Sequence, residues 1–472
     1  MVVGAQATEV DLVVIGSGPG GYVAAIRAAE LGKKVTIIEK DNVGGVCLNI
    51  GCIPSKALIN IGHHYQESLE AAEKKNPFGL SMSKVELDWA SAQKWKQDKV
   101  VNQLTGGVKM LLKKHKIDVI KGTAEFVDNN TINVEQEDGF QLLQFNDVII
   151  STGSRPIEIP SFPFGGRIID STGALSLPEV PKHLIIVGGG VIGSELGGAY
   201  RMLGSKITIV EGLDHILNGF DKEMSDIIAN RVKSAGSEIF TSAMAKSATQ
   251  TDKDVTLTFE VDGKEQTVTG DYLLVSVGRR PNTDLIGLNN TDVKLTDRGL
   301  IEVNESYATN VPHIYAIGDV VPGPMLAHKA SFQAKVAAAA IAGAEDDVDL
   351  HVALPAVAYT TTELATVGET PESVKDRKDV KISKFPFAAN GRAISMNDTT
   401  GFLRLITETK EGAIIGAQIV GPGASDLISG LSLAIENGLT SKDISLTIQP
   451  HPTLGEAIMD TAELADGLPI HV

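Results

Sequence analysis

Cys47 and Cys52 are the only cysteines in 472 residues, and they stand five positions apart in GGVCLNIGCIPSKAL. Two thiols cannot staple a secreted module of this length, and in an intracellular chain a pair of cysteines is ordinarily buried and inert. On an ideal helix, residues five apart point about 140° away from each other. Gly51 and Pro54 would let the chain distort so that the sulfurs meet. Such a dithiol can exchange with a disulfide, but a redox pair also needs an electron carrier beside it.

A second candidate is His451, in QPHPTLGE. A histidine can take a proton from a thiol near neutral pH and, once charged, stabilise a thiolate. Thr453 and Glu456 have the spacing of a capping box, which predicts that they open the last helix. On its own, a histidine before proline is a loop residue.

The carrier is written upstream of the cysteines. Leu12 to Ile15 reads as a strand, GSGPGG as a turn, the next dozen residues as a helix, and Val35 to Ile38 as a second strand closed by Glu39. Gly16, Gly18 and Gly21 have the G-x-G-x-x-G spacing, and Glu39 follows Gly16 by 23 residues, where a carboxylate can meet a ribose hydroxyl. The pattern recurs with Gly188, Gly190 and Gly193, then Glu211, again 23 residues on. Glycines in such turns can serve only to pack helix on sheet. Here each turn follows a strand, opens a helix and ends in an acid, the setting in which backbone N–H groups hold a pyrophosphate. Two sites imply two nucleotides, read most economically as a flavin trading electrons with a nicotinamide. Glu211 opposed to a 2′-phosphate would cost ~1 to 4 kcal/mol, so NAD is expected over NADP. No arginine lies between Glu211 and Arg231 to offset it.

These residues need a frame, and the duplication supplies most of it. Each copy runs on to an alternating segment split at Asp138-Gly139 or Asp262-Gly263, then to a strand ending in STGSRP or SVGRRP. Residues 90 to 118 look helical with one solvent face. Residues 283 to 350 begin in loops, pass through HIYAIGD and end in an alanine-rich helix, and the last 120 or so alternate strands with helices. The expected fold is α/β, with two Rossmann-like dinucleotide-binding domains and a C-terminal α+β domain. The expected divisions are 1–150, 151–282, 283–350 and 351–472.

Composition narrows the function. Fifty-nine acidic against 42 basic side chains leave a net charge of -17, the wrong sign for nucleic acid. No apolar run approaches the ~20 residues of a membrane helix; Leu184 to Tyr200 is interrupted by glycines, Ser194 and Glu195. The opening MVVGAQATEV has no basic residue before Arg27, so a cytoplasmic location is expected, a trimmed presequence aside.

Taken together, GSGPGGYVAAIRAAELGKKV, GGVCLNIGCIPSKAL, STGSRPIEIP, GGGVIGSELG, SVGRRPNT, TNVPHIYAIGDVVPGPMLAHKA and HPTLGEA resemble the flavin-dependent pyridine nucleotide disulfide oxidoreductases along essentially the whole chain. The resemblance implies FAD in the first glycine turn, NAD in the second, no metal, and a homodimer formed through the last domain. It implies that Cys47 exchanges with substrate and that Cys52 lies against the flavin. Lys56 and Glu195 match a pair beside the flavin ring, Asp319 matches a ligand of the flavin side chain, and Gly153, Gly278 and Ala327 match further cofactor contacts. His451 becomes the acid/base and Glu456 its orienter. The branch most resembled oxidises protein-bound dihydrolipoamide, with a lipoyl-bearing acyltransferase of a 2-oxo acid dehydrogenase or a glycine-cleavage assembly as partner. The alternatives are an NADPH-dependent reductase of small disulfides or mercuric ion, against which Glu211 argues, and a redox-inactive flavin scaffold, against which the intact Cys47, Cys52, His451 and Glu456 argue. Gln449, Thr362 and Ser331-Phe332 depart from the usual pattern.

Overall fold

Strand β1 (Thr8–Ile15) is buried on both faces at its C-terminal end, as a central parallel strand must be, and enters helix α1 (Pro19–Glu30) through the first glycine turn. Strand β2 (Val35–Glu39) returns parallel to it, pairing Leu12 with Val35 and Ile15 with Ile38. The computed structural model describes residues 7–344 and 352–471. The expected division between 350 and 351 lies outside the described residues.

The chain forms two units. The first holds the described residues of 1–57, 88–157 and 278–350. Its sheet runs Asp118–Lys121, β2, β1, Gly139–Ile150, Thr131–Gln136, Thr123–Phe126, with Ile314–Ala316 added parallel to Gly139–Ile150. Alternate residues of β1 feed two cores: Val13 and Ile15 pack with Phe126, Val148 and Ile314, while Leu12 and Val14 pack with Ile37 and α1. The alanine-rich helix, Ala327–Ala342, lies in this second core, where Ala334, Ala337 and Ala338 share space with Ala24, Ala25 and Ala28. Small side chains let two helices approach closely, which is why that segment is rich in alanine. The solvent-faced helix expected over 90–118 comprises Trp89–Trp95 and Asn102–Lys114, joined by a π-helical turn at Lys96–Val101.

The second unit holds the described residues of 58–87, 158–277 and 351–472. A five-stranded parallel sheet runs Glu238–Phe240, Lys206–Val210, His183–Val187, Tyr272–Val275, Ile168–Ile169. A three-stranded antiparallel sheet at 243–270 packs on it through Val255, Leu257 and Phe259. The last part is a five-stranded antiparallel sheet covered by the helices Ala424–Glu436 and Glu456–Asp466. Thr362, one of the departures, accepts a hydrogen bond from Arg231.

Two expectations shift in detail. Gln136 pairs with Gly139, so the first hairpin turns at Glu137-Asp138 rather than at Asp138-Gly139. The second turns at Asp262-Gly263 as expected, both with positive φ, as a two-residue hairpin of the mirror-image type requires. One stretch, Gly45–Ala72, is long and apolar enough by composition to cross a membrane. Gly51 breaks it into two helices, and it carries Lys56, Glu67 and Glu70.

The glycine turns separate packing from binding. A Cβ on Gly193 would lie 2.1 Å from Gly188 O, whereas one on Gly190 would meet nothing within 4 Å. Gly193→Ala should therefore lower the melting temperature measurably, on the scale of ~1 to 3 kcal/mol for an overpacked contact. Gly190→Ala should leave melting near wild type; equal melting temperatures would contradict the packing role.

Candidate active site

Helix α2 (Gly45–Ile50) ends at Gly51, whose φ of -141° and ψ of -116° leave the helical region, and α3 (Cys52–Ala72) begins at the next residue. This break, rather than a distorted continuous helix, brings the thiols together. A side chain at position 51 would set its Cβ 2.9 Å from Val46 O and 3.3 Å from Cys47 Cα. Asn49 Nδ2 donates to Val43 O and Gly45 O, fixing the short helix that carries Cys47. Pro54 falls in the first turn of α3, where a missing N–H costs nothing.

Both cysteines are thiols in this structure, Cys47 half-buried and Cys52 exposed. Their side chains are hydrogen-bonded, and that bond, followed by burial and by the charge of Cys52, pushes the Cys47 thiol far up. Lys56, one turn on from Cys52, pulls the other way. Ionisation of the Cys47 thiol is therefore opposed, by the bond to Cys52 first and by burial second.

The glycine turns are the same device built twice. Gly16 and Gly188 both have φ of +95°. A Cβ on either would lie 2.6 Å from a carbonyl, Ser151 O or Ser276 O. Ser151 Oγ donates to Gly16 O at 3.0 Å, and Ser276 Oγ donates to Gly188 O at 2.9 Å. Ser17 N donates to Glu39 at 2.9 Å and Asp41 N at 2.8 Å; Gly189 N and Leu213 N donate to Glu211 at 2.6 and 2.8 Å. The copies differ in that Ser17 Oγ also donates to Glu39, which is 7% exposed, while Glu211 is half-buried. The paired serines were missed in the sequence; the signal was a serine at the same place in STG and SVG.

Both turns suit a diphosphate. Elsewhere Asp88, Asp170 and Asp221 cap helices by accepting backbone N–H bonds. The helices Pro19–Glu30 and Val191–Met202 start instead at glycines, with no side-chain cap and no acid in the first turn. Those N–H groups and the helix dipole remain directed at an anion. A Cβ on Gly18 would come no nearer than 4.0 Å to another residue, and one on Gly153 would meet nothing within 4 Å, so backbone can approach a ligand at both.

The remaining expected residues fall into the two units. Asp319 and Ala327 lie in the first, and Gly278 starts a ribbon there by accepting from Ile157 N. Glu195, in the second, is buried and accepts from Tyr359 N at 2.9 Å. Lys56 belongs to the first unit and is described there alone.

In the second unit, His451 Nδ1 lies 2.8 Å from Glu456 Oε1, and Thr453 N donates to Glu456 Oε2 at 2.8 Å. The expected capping box is only half made. The Thr453 hydroxyl donates to Pro450 O, and the helix Glu456–Asp466 begins at Gly455 without a side-chain cap. Glu456 is thus held by both oxygens, and the Thr453 N–H, with His451, keeps its carboxyl below the usual range. A carboxylate only accepts, so Nδ1 of His451 is the donor in this bond, and the neutral ring would have its lone pair at Nε2. The His451 side chain is 80% exposed within its chain, and the His451-Pro452 peptide is cis. Asn390, buried and unforeseen, donates to Thr453 O and steadies this loop.

Comparison with known proteins places these features in context. The pyridine nucleotide-disulphide oxidoreductase family matches residues 10–334, and that family's dimerisation domain matches 354–462. The chain is 55% identical to a dihydrolipoyl dehydrogenase of Geobacillus stearothermophilus, covering all of this chain and 99% of that one. It is 54% identical to the Bacillus subtilis dihydrolipoyl dehydrogenase, covering all of both. Among solved structures, LpdA from Mycobacterium tuberculosis superposes with a TM-score of 0.88 at 28% identity, over 96% of this chain and 99% of that one. The HOCl-induced flavoprotein disulfide reductase RclA from Escherichia coli gives 0.85 at 28%, over 96% and 99%.

The Glu211 geometry yields a test. Replacing Glu211→Ala together with Leu213→Arg, at an exposed neighbouring position, removes the repulsion and adds a phosphate partner. The preference for NAD over NADP should narrow by about tenfold or more in binding titrations. An unchanged ratio would make Glu211 a brace for its own loop and nothing else.

Proposed function

The chain belongs to the pyridine nucleotide-disulphide oxidoreductases, and from that premise we propose that it oxidises dihydrolipoamide to lipoamide and delivers the electrons to NAD. It is an FAD- and NAD-dependent enzyme that works as a homodimer. The observation that carries the reading is the hydrogen-bonded dithiol at the α2–α3 break, eight residues beyond the first ribose carboxylate, Glu39.

FAD, when bound, supplies a two-electron carrier between the Cys47–Cys52 pair and NAD. The rest falls to side chains. His451 takes the first substrate proton at Nε2, with Glu456 balancing the charge that forms. The substrate thiolate attacks Sγ of Cys47 in the oxidised pair, breaking the bond to Cys52. The second substrate sulfur then displaces Cys47, closing lipoamide. Cys47 leaves as a thiol and Cys52 as a thiolate, the distribution their mutual hydrogen bond and burial favour. Lys56 sits on the same helix as Cys52 and lends positive charge.

The same reading assigns residues 1–150 and 283–350 to FAD, 151–282 to NAD and 351–472 to the dimer. Gly16, Gly18, Gly21, Glu39, Gly153, Asp319 and Ala327 serve the flavin; Gly188, Gly190, Gly193, Glu211 and Gly278 serve the nicotinamide nucleotide; Glu195 supports the ring. The exposed His451 serves its partner's cysteines, because a two-fold interface makes each contact twice. The natural substrate is the lipoyl group of an acyltransferase in a 2-oxo acid dehydrogenase or glycine-cleavage assembly. Two cysteines in 472 residues are too few for an extracellular disulfide framework, and we assign the enzyme to the cytoplasm. A reductase drawing on NADPH is disfavoured by Glu211.

Purified enzyme should reduce NAD with dihydrolipoamide, at least about tenfold faster than it reduces NADP. Cys47→Ser and Cys52→Ser should each abolish that turnover. Preferential oxidation of NADPH with small disulfides would overturn the assignment.

A further inference from the structure

Asp319 lies in a short turn just after the strand Ile314–Ala316, and its carboxylate has a side-chain partner in the STGSRP segment. Ser154 Oγ donates to Asp319 Oδ2 at 2.6 Å. The direction of that bond is forced. Arg279 Nε lies 2.8 Å from the same Oγ, and a guanidinium only donates, so the serine oxygen accepts there and its one proton goes to the carboxylate. Arg279 Nη2 also donates to Ser154 O at 2.6 Å, clamping the residue from two sides. Ser154 is 3% exposed, so water does not compete for these bonds.

Both residues sit on a small ribbon in which Ser154–Pro156 pairs antiparallel with Arg279–Pro281. The adjacent Arg280 faces outward and pairs with Asp284, so the two arginines of SVGRRP have different tasks. Lys329 is buried nearby; burial pulls its ammonium down from the ordinary lysine range and the Asp319 charge opposes the shift. Its Nζ donates to Pro322 O at 3.2 Å, which holds it beside the carboxylate's loop.

We propose that Ser154 and Arg279 are positioning residues that lock the Asp319 carboxylate in the orientation that holds the flavin side chain. This rests on the reading of Asp319 as a flavin ligand. Arg279 sets the polarity of the Ser154 hydroxyl, and Ser154 sets the rotation of the carboxylate.

The test is FAD release from the holoenzyme, followed as recovery of free-flavin fluorescence, with thermal unfolding of each variant as a check that it is folded. Ser154→Ala and Arg279→Met should each release FAD about tenfold faster, the scale of losing a hydrogen bond to a charged group. Ser154→Thr, which keeps the hydroxyl, should restore retention close to wild type. In an Asp319→Ala background, Ser154→Ala should add little, because its target is gone. Full additivity of the two, or wild-type retention in Ser154→Ala while Asp319→Ala releases FAD, would overturn the positioning role. Wild-type retention in Asp319→Ala would instead overturn the reading of Asp319 itself.

Discussion

The hydrogen bond between the Cys47 and Cys52 side chains exists only because the backbone stops being a helix at Gly51. Five residues of continuous helix would turn the two sulfurs away from each other. The break resets the direction of the chain, and crowding of position 51 against Val46 O and Cys47 Cα leaves no room for a side chain. Once the sulfurs meet, their ionisation is no longer independent. A thiolate on one opposes ionisation of the other, and at Cys47 the bond to Cys52 and then burial push the thiol up. The two sulfurs thus meet through local chain geometry, with Cys47 half-buried and Cys52 exposed.

The two glycine turns, one in each unit, are one solution used twice. In each, a glycine with φ of +95° passes a strand-end carbonyl, a serine hydroxyl ties the turn to that strand, and a glutamate grips two backbone N–H groups. The copies differ in detail: Glu39 is buried with an added hydroxyl partner, whereas Glu211 is half-buried. The last domain contributes a third held carboxylate. Glu456 is gripped by Thr453 N and by Nδ1 of the exposed His451, which leaves Nε2 of that ring turned away from the carboxylate bond.

Much of this was legible in the residues. The βαβ openings, the duplication, the alanine-rich helix and the closing α+β region follow from glycine spacing, strand patterning and side-chain size, all of which act locally. What was not legible depended on atoms brought together across distance. Ser151 and Ser276 look like ordinary loop serines until the strand ends lie against Gly16 and Gly188. Arg279 and Arg280 are indistinguishable by type, and only the ribbon register turns one inward to Ser154 and the other outward to Asp284. The T-x-x-E motif predicted a capping box, but the Thr453 hydroxyl found Pro450 O first, so the same spacing gave a carboxylate shared with histidine. The length and apolar character of Gly45–Ala72 escaped a search for unbroken apolar runs because polar residues are spread along it.

The central claim is that Cys52, and not Cys47, holds the thiolate against the flavin. The absorption spectrum of the FAD-loaded protein tests it most directly. Two-electron reduction of the wild type should raise a long-wavelength charge-transfer band. Cys47→Ser should show the band without any reductant, because Cys52 can then form no disulfide with position 47, and Cys52→Ser should never show it. Identical spectra for the two variants, or the band appearing in Cys52→Ser alone, would contradict the account.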